Sequence, residues 1–231
     1  MRAMRISAVV TGALGVLLLV LVAVGWSPLL SFDREVSAAL HRDAVAHPGL
    51  TRLHRVLTDW VWDPWTMRAL TLLAVVWLLR RREHLLALWL TVGTLLAWLF
   101  QQGLKAAVGR ERPRWPDPVD SAPYAAFPSG HAMAATVACG LLLWVLALHW
   151  REGRPGWGTL SGVAVVSVLG VGWTRVYLGV HWPSDVLAGW LFGWCCAAAT
   201  IVTYRRLAPA GAPPAEPPAE PDAGSRMEDT R

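Results

Sequence analysis

The stretch SGHAMAATVACGLLLWVLALHW, residues 129–150, decides the fold. It is an apolar run of about the ~20 residues that a helix needs to cross a bilayer. It opens on Pro128-Ser129-Gly130, a sequence suited to starting a helix, with Ser129 as a candidate N-cap. Comparable runs lie on both sides, at residues 6–26, 65–79, 84–100, 157–174 and 183–204. The first follows Arg2 and Arg5 in the manner of a signal peptide. Its length, and the lack of a small-x-small cleavage site before Trp26 and Pro28, favour a retained span. The reading is an all-α membrane protein, a bundle of six transmembrane helices.

Composition agrees. Of 231 residues, 55% are hydrophobic and 16% charged, against about 25% charged in soluble domains. The formal net charge is +5. A basic balance can serve nucleic acid, but these arginines sit between apolar runs and form no stripe with a nucleic-acid motif. The charge reads instead as orientation in the membrane together with an anionic substrate. Cys139, Cys195 and Cys196 lie inside apolar runs without metal-ligand spacing and read as small packing residues.

Between the runs, residues 27–63 are mixed and polar, with part predicted as a short amphipathic helix on the membrane surface. Trp60, Trp62 and Trp65 are expected to form an aromatic belt at headgroup level. Residues 101–129 read as a turn-rich polar loop. Residues 208–231, rich in proline, alanine and glutamate, cannot bury enough apolar surface to fold. The expected division is a six-span domain over 1–207 and a disordered tail over 208–231. Six spans place Arg2, Arg5, Arg80–Arg82, Arg151, Arg154, Arg205 and Arg206 on one side, the cytoplasm by the positive-inside rule. Both termini are then cytoplasmic, and the loops 101–129 and 175–183 face outward across a plasma membrane.

Chemistry concentrates on that outward face. Lys105, Arg112 and Arg175 stand at helix ends, where partly buried cations need an anion to meet them; a guanidinium fork fits a phosphate with paired donors. Snorkelling to headgroups explains any one of them, but less well all three beside two histidines. Gly130 lets backbone approach a ligand, and the N–H groups of a helix start suit a phosphate oxygen. Asp185 lies four residues after His181, at the start of the last span behind Pro183. A carboxylate there can hold the imidazole tautomer and leave the other ring nitrogen free to attack. The blander reading is that Asp185 answers the helix dipole. His41, His47, His54, His84 and His149 read as loop or interface residues.

Three segments, read together, resemble the type 2 phosphatidic acid phosphatase superfamily, whose pattern is K-x6-R-P, P-S-G-H and S-R-x5-H-x3-D. Here they are Lys105-AAVGRE-Arg112-Pro113, Pro128-Ser129-Gly130-His131 and Thr174-Arg175-VYLGV-His181-WPS-Asp185. Thr174 replaces the serine and keeps its hydroxyl. The resemblance implies a membrane lipid phosphatase with His181 as nucleophile, Asp185 orienting it and His131 protonating the leaving group. It implies phosphate binding by Lys105, Arg112, Ser129, Gly130 and Arg175. It implies no metal or cofactor, and a lipid phosphate monoester or polyprenyl diphosphate as substrate. A lipid phosphotransferase would carry the same motifs. A non-catalytic membrane scaffold fits less well, because the ionisable groups gather at helix ends rather than at mid-span.

Overall fold

A backbone in lipid has no water to bond, so apolar runs resolve into helices that satisfy every N–H and C=O internally. A computed structural model describes residues 2–150 and 156–207. Its elements are α1 (Arg2–Ala23), α2 (Ser27–Ala46), α3 (Pro48–Val56), a π-helical turn (Leu57–Val61), α4 (Pro64–Arg80), α5 (His84–Val108), α6 (Gly130–His149), α7 (Trp157–Tyr177) and α8 (Pro183–Leu207). No strand occurs among the described residues. Helices α1, α5, α6, α7 and α8 are long and apolar enough to cross a membrane, and the chain is a multi-pass membrane protein. The run expected as the second span is α4, of 17 residues, about 25 Å long at ~1.5 Å per residue.

These helices alternate in direction. The α6 terminus meets the start of α5 through His149 Nε2 and Glu83 Oε1, 2.8 Å apart. At the other end Lys105 of α5, Arg175 of α7 and the first turns of α6 and α8 gather. The central pair is α6 with α8. A Cβ on Gly189 would lie 2.8 Å from the Ser129 carbonyl oxygen, and one on Gly193 would lie 3.0 Å from that of Met133. Backbone therefore rests on backbone, as small-xxx-small spacing allows between helices in lipid. Helix α1 runs against α8 in the same way, with Gly15 beneath the Phe192 ring. The outward faces carry exposed Leu72, Leu73, Leu96, Val163 and Val166, which suits contact with lipid tails.

Several boundaries differ from the sequence reading. Helix α5 continues through residues 101–108, which were expected to be loop, and closes at Gly109 in a left-handed conformation with φ 59°. Lys105 is thus a helical residue in the last turn. Helix α7 likewise runs past Thr174 to Tyr177. Residues 27–61 are almost wholly helical, and α2 is amphipathic with its polar side inward: Asp33, Ser37, His41 and Ala44 are buried while Phe32 and Val45 are exposed. The site described below explains this inversion, because it supplies polar partners to that face. His41 and His54 are buried rather than interfacial, stacked on Trp115 and Tyr177 at 4.2 and 4.3 Å. Trp60 and Trp65 are exposed as a belt requires, but Trp62 is buried against Gly170. The expectations for Arg151, Arg154 and the tail 208–231 lie outside the described residues.

Gly189→Val should drive α8 away from α6. The overpacking should cost about 1–3 kcal/mol and visibly lower the melting temperature in detergent. An unchanged melting temperature would contradict the backbone contact.

Candidate active site

Where helix ends meet, a cavity of about 360 Å³ opens, lined among others by Lys105, Arg112, Gly130, His131, Arg175 and His181. The local sequence explains why these side chains face it. Gly109 ends α5 one turn after Lys105. The loop after α5 then brings Arg112 across to the loop between α7 and α8, where Gly179 turns with φ 67°. Trp115 packs so closely on Gly179 that a Cβ there would lie 2.5 Å from the indole nitrogen. The Trp115 indole N–H donates to the Gly179 carbonyl at 2.9 Å, which pins the two loops together.

His181 is fully enclosed. Its Nε2 lies 3.0 Å from Arg112 Nη1. A guanidinium can only donate, so Nε2 accepts and the ring proton resides on Nδ1. Nδ1 faces Asp185 Oδ2 at 3.4 Å. That is long for a hydrogen bond, a separation that catalytic pairs commonly show without substrate. Burial, and then Arg112, Arg175 and Lys105, hold the imidazole well below its ordinary pKa of 6.5. Nε2 therefore carries no proton at neutral pH, and its lone pair meets a side chain of the kind that binds phosphate.

The cations are differently engaged. Lys105 Nζ donates to the Ala125 carbonyl. Arg112 donates to the carbonyls of Tyr124, Val180 and Pro123 at 2.9, 2.6 and 3.0 Å. Burial and the neighbouring Arg175 lower its pKa to about 10, which leaves it cationic at neutral pH. Arg175 reaches Thr58 Oγ1 at 3.3 Å and Asp120 Oδ2 at 3.8 Å, while its buried Nε has no partner. Ser129 occupies the predicted N-cap position, but its side chain caps nothing. Its buried Oγ has no partner, and its backbone N–H donates to the Asp185 carbonyl at 2.9 Å. Such orphaned polar atoms are uncommon in a folded interior and suit a ligand that brings acceptors. Gly130 admits Gln101, whose Nε2 would lie 2.9 Å from a Cβ there. His131 stands in the second residue of α6, its Nε2 3.8 Å from Asp63 Oδ2. Thr174 sits apart from this cluster in its bonding: its hydroxyl donates to the Val171 carbonyl of its own helix at 2.7 Å.

Six of the eight sequence-selected site residues thus line one cavity, and Asp185 and Ser129 stand behind it, one facing His181 and the other bonded to the Asp185 carbonyl. Further neighbours join them that the sequence did not single out. Arg110 donates to Asp185 Oδ1 at 2.6 Å, Ser184 Oγ at 2.7 Å and Asp33 Oδ2 at 2.7 Å. Asp59, Asp63 and Asp120 line the Arg175 side, and burial followed by Asp120 raises the pKa of Asp59. Arg110 lies among the unspecified positions of K-x6-R-P, where a second cation within the motif was the one available hint. Nothing in the local pattern around Asp33 marks it.

An all-helical membrane bundle with two histidines and three cations at one end of its helices defines a narrow class. The profile of the PAP2 superfamily matches residues 86–208. The chain belongs to this superfamily. A segment of 67 residues is 42% identical to the undecaprenyl-diphosphatase of Sulfolobus acidocaldarius, covering 29% of this chain and 28% of that one. The decaprenylphosphoryl-5-phosphoribose phosphatase of Mycobacterium tuberculosis is 31% identical over 163 residues, covering 68% of this chain and 82% of the relative. The crystal structure of a transmembrane PAP2 type phosphatidylglycerolphosphate phosphatase from Bacillus subtilis superposes with a TM-score of 0.77. It shares 22% identity, with 87% of this chain and 97% of that one covered.

By NMR of labelled histidine, the imidazole that disappears in His181→Ala should stay neutral, with its proton on Nδ1, as pH falls through 6.5. Arg112→Ala removes a neighbouring cation and should move its titration upward, still below 6.5 because burial remains. A wild-type His181 that protonates near pH 6.5 would contradict this electrostatic setting.

Proposed function

We propose that the chain is a membrane lipid phosphatase that passes the phosphoryl group through His181. The observation that carries the reading is the direction of the His181 ring. Nδ1 faces Asp185, and Nε2 points at Arg112 on the edge of a cavity that Lys105 and Arg175 also line. A phosphoryl group placed there draws its charge toward fixed donors: Lys105, Arg112, Arg175, Ser129 Oγ and the N–H of Gly130. His181 Nε2 attacks phosphorus. His131, across the cavity, gives a proton to the departing oxygen and then takes one from the water that releases phosphate. Cations and histidines make a donor set for an anion rather than a seat for a divalent metal, which supports a metal-independent reaction.

A lipid substrate is favoured by what adjoins the cavity. A second, mostly apolar cavity of about 340 Å³ lies between α4 and α5 and shares Arg68, Thr71, Thr94 and Trp98 with the first. A tail in that groove leaves a phosphate head at His181. Relatives named for undecaprenyl diphosphate and decaprenylphosphoryl-phosphoribose support a polyprenyl carrier as substrate. The phosphatidylglycerolphosphate phosphatase from Bacillus subtilis shares this fold, and phosphatidylglycerol phosphate and phosphatidic acid offer the same phosphate monoester head. The arginine-rich helix ends Arg80–Arg82 and Arg205–Arg206 lie opposite the site. This favours cytoplasmic termini and an outward-facing site in the plasma membrane.

Detergent-purified protein in EDTA should release phosphate from dioctanoyl phosphatidic acid or farnesyl diphosphate. His181→Ala should abolish release, and His131→Ala should lower kcat roughly a hundredfold or more. Release that needs added metal, or that persists in His181→Ala, would overturn the proposal. Turnover that rises steeply with an added alcohol acceptor would instead indicate a phosphotransferase.

A further inference from the structure

Asp33 is buried at 1% exposure in α2, far in sequence from the motif residues, and its hydrogen bonds go to Ser184 and to Arg110, which leads on through Asp185 to His181. Its Oδ1 accepts the Ser184 N–H at 3.0 Å, and its Oδ2 accepts the Ser184 hydroxyl at 2.5 Å and Arg110 Nη2 at 2.7 Å. The other terminal nitrogen of Arg110 donates to Asp185 Oδ1 at 2.6 Å. Asp185 Oδ2 accepts the Trp182 N–H at 2.9 Å and faces His181 Nδ1. One guanidinium therefore serves two buried carboxylates.

Charge counting gives the arrangement a chemical meaning. Arg110 with Asp185 alone would be neutral. With Asp33 included, the group carries one net negative charge beside His181. In the reaction proposed above, the Nε2 lone pair forms an N–P bond while the P–O bond to the leaving group breaks, and the leaving oxygen takes its proton from His131. Nδ1 keeps its hydrogen, so the ring becomes a phosphorylated imidazolium with one positive charge. Water has almost no access to offset that charge, because His181 and Asp185 are enclosed. We propose that Asp33 is a positioning residue of the reaction. By sharing Arg110 it keeps the Asp33–Arg110–Asp185 group at one net negative charge, matched to the cationic phosphohistidine at His181. Lys105, Arg112 and Arg175 do not compete for this role, since their charge answers the phosphoryl oxygens on the opposite side of the ring. The Ser184 contacts also dock α2 on the start of α8, so the charge effect must be separated from the docking effect.

This inference rests on the phosphohistidine reading, and the experiment separates the two. Asp33→Asn keeps the shape and the acceptor for Ser184 but removes the charge. Asp33→Asn combined with Arg110→Gln restores the net charge while removing a second hydrogen-bonding group. Turnover of dioctanoyl phosphatidic acid and of farnesyl diphosphate would be measured for both and for Asp33→Glu, with His181→Ala alongside. Asp33→Asn should lower kcat about 10- to 100-fold with KM changed little. Asp33→Glu should retain most of kcat, and the double variant should recover several-fold over Asp33→Asn. A purely structural Asp33 would make the double variant slower still, since it loses more contacts. That result, or an Asp33→Asn kcat within twofold of wild type, overturns the inference. Should Asp33→Asn fail to fold, Asp33→Glu and the folded double variant decide alone: turnover in both supports the charge match, and a folded but inactive double variant refutes it. Activity retained by His181→Ala would sink the phosphohistidine reading itself, whereas an inactive His181→Ala beside a wild-type-like Asp33→Asn would sink only the role of Asp33.

Discussion

Arg110 donates to Asp33 and Asp185, two carboxylates with almost no contact with solvent, and the site depends on that shared guanidinium. Removing one member of a buried ionic group leaves charge uncompensated where water cannot reach, at a cost of about 3–5 kcal/mol. The network also joins elements that the chain keeps apart. Asp33 belongs to α2, Arg110 to the loop after α5, and Ser184 with Asp185 to the first turn of α8. Fixing Asp185 fixes its backbone too, and the Asp185 carbonyl accepts the N–H of Ser129 at the start of α6. The two helix starts that frame the cavity are thus held by one set of contacts, and the close α6–α8 packing at Gly189 continues it toward the middle of the bundle.

The opposite wall carries the three cations, with Asp59, Asp63 and Asp120 on its Arg175 side. Lys105 and Arg112 lean on loop carbonyls, and Arg175 has a donor with no acceptor. Carbonyl dipoles meet a cation only partly, whereas a phosphoryl group supplies several charged oxygens at once. The wall is in this sense incomplete in the protein by itself, and the orphaned Ser129 hydroxyl adds to the deficit. His181 lies at the junction of the two walls, with one ring nitrogen turned to each.

Much of this was legible in the sequence because the chemistry is local. His181 and Asp185 lie four apart, Ser129, Gly130 and His131 open a helix, and Lys105, Arg112 and Arg175 fall at apolar run ends; alternating spans put these ends on one face, and the family pattern groups them. What was not legible is long-range. Arg110 meets its partners across 74 to 77 residues, and Asp33 meets Ser184 across 151. No periodicity reports such pairs. Segment 27–63 hides its helices for a related reason: α2 turns its polar side inward, the reverse of a surface helix. Helices α5 and α7 outrun their apolar stretches, to Val108 and Tyr177, because a helix keeps its backbone bonds while its last polar turn enters the site. Six runs were visible, and α4 is the shortest of their helices because it starts at Pro64, capped by Asp63, and ends among Arg80–Arg82.

The central claim is that phosphorus becomes bonded to His181. The direct test is to quench turnover of phosphorus-labelled phosphatidic acid or farnesyl diphosphate under alkaline conditions, which preserve phosphohistidine, and to map the label by mass spectrometry. The account predicts label on the peptide that contains His181, appearing within a single turnover and absent in His181→Ala. Steady hydrolysis with no protein-bound phosphate, or with label on His131, would contradict it.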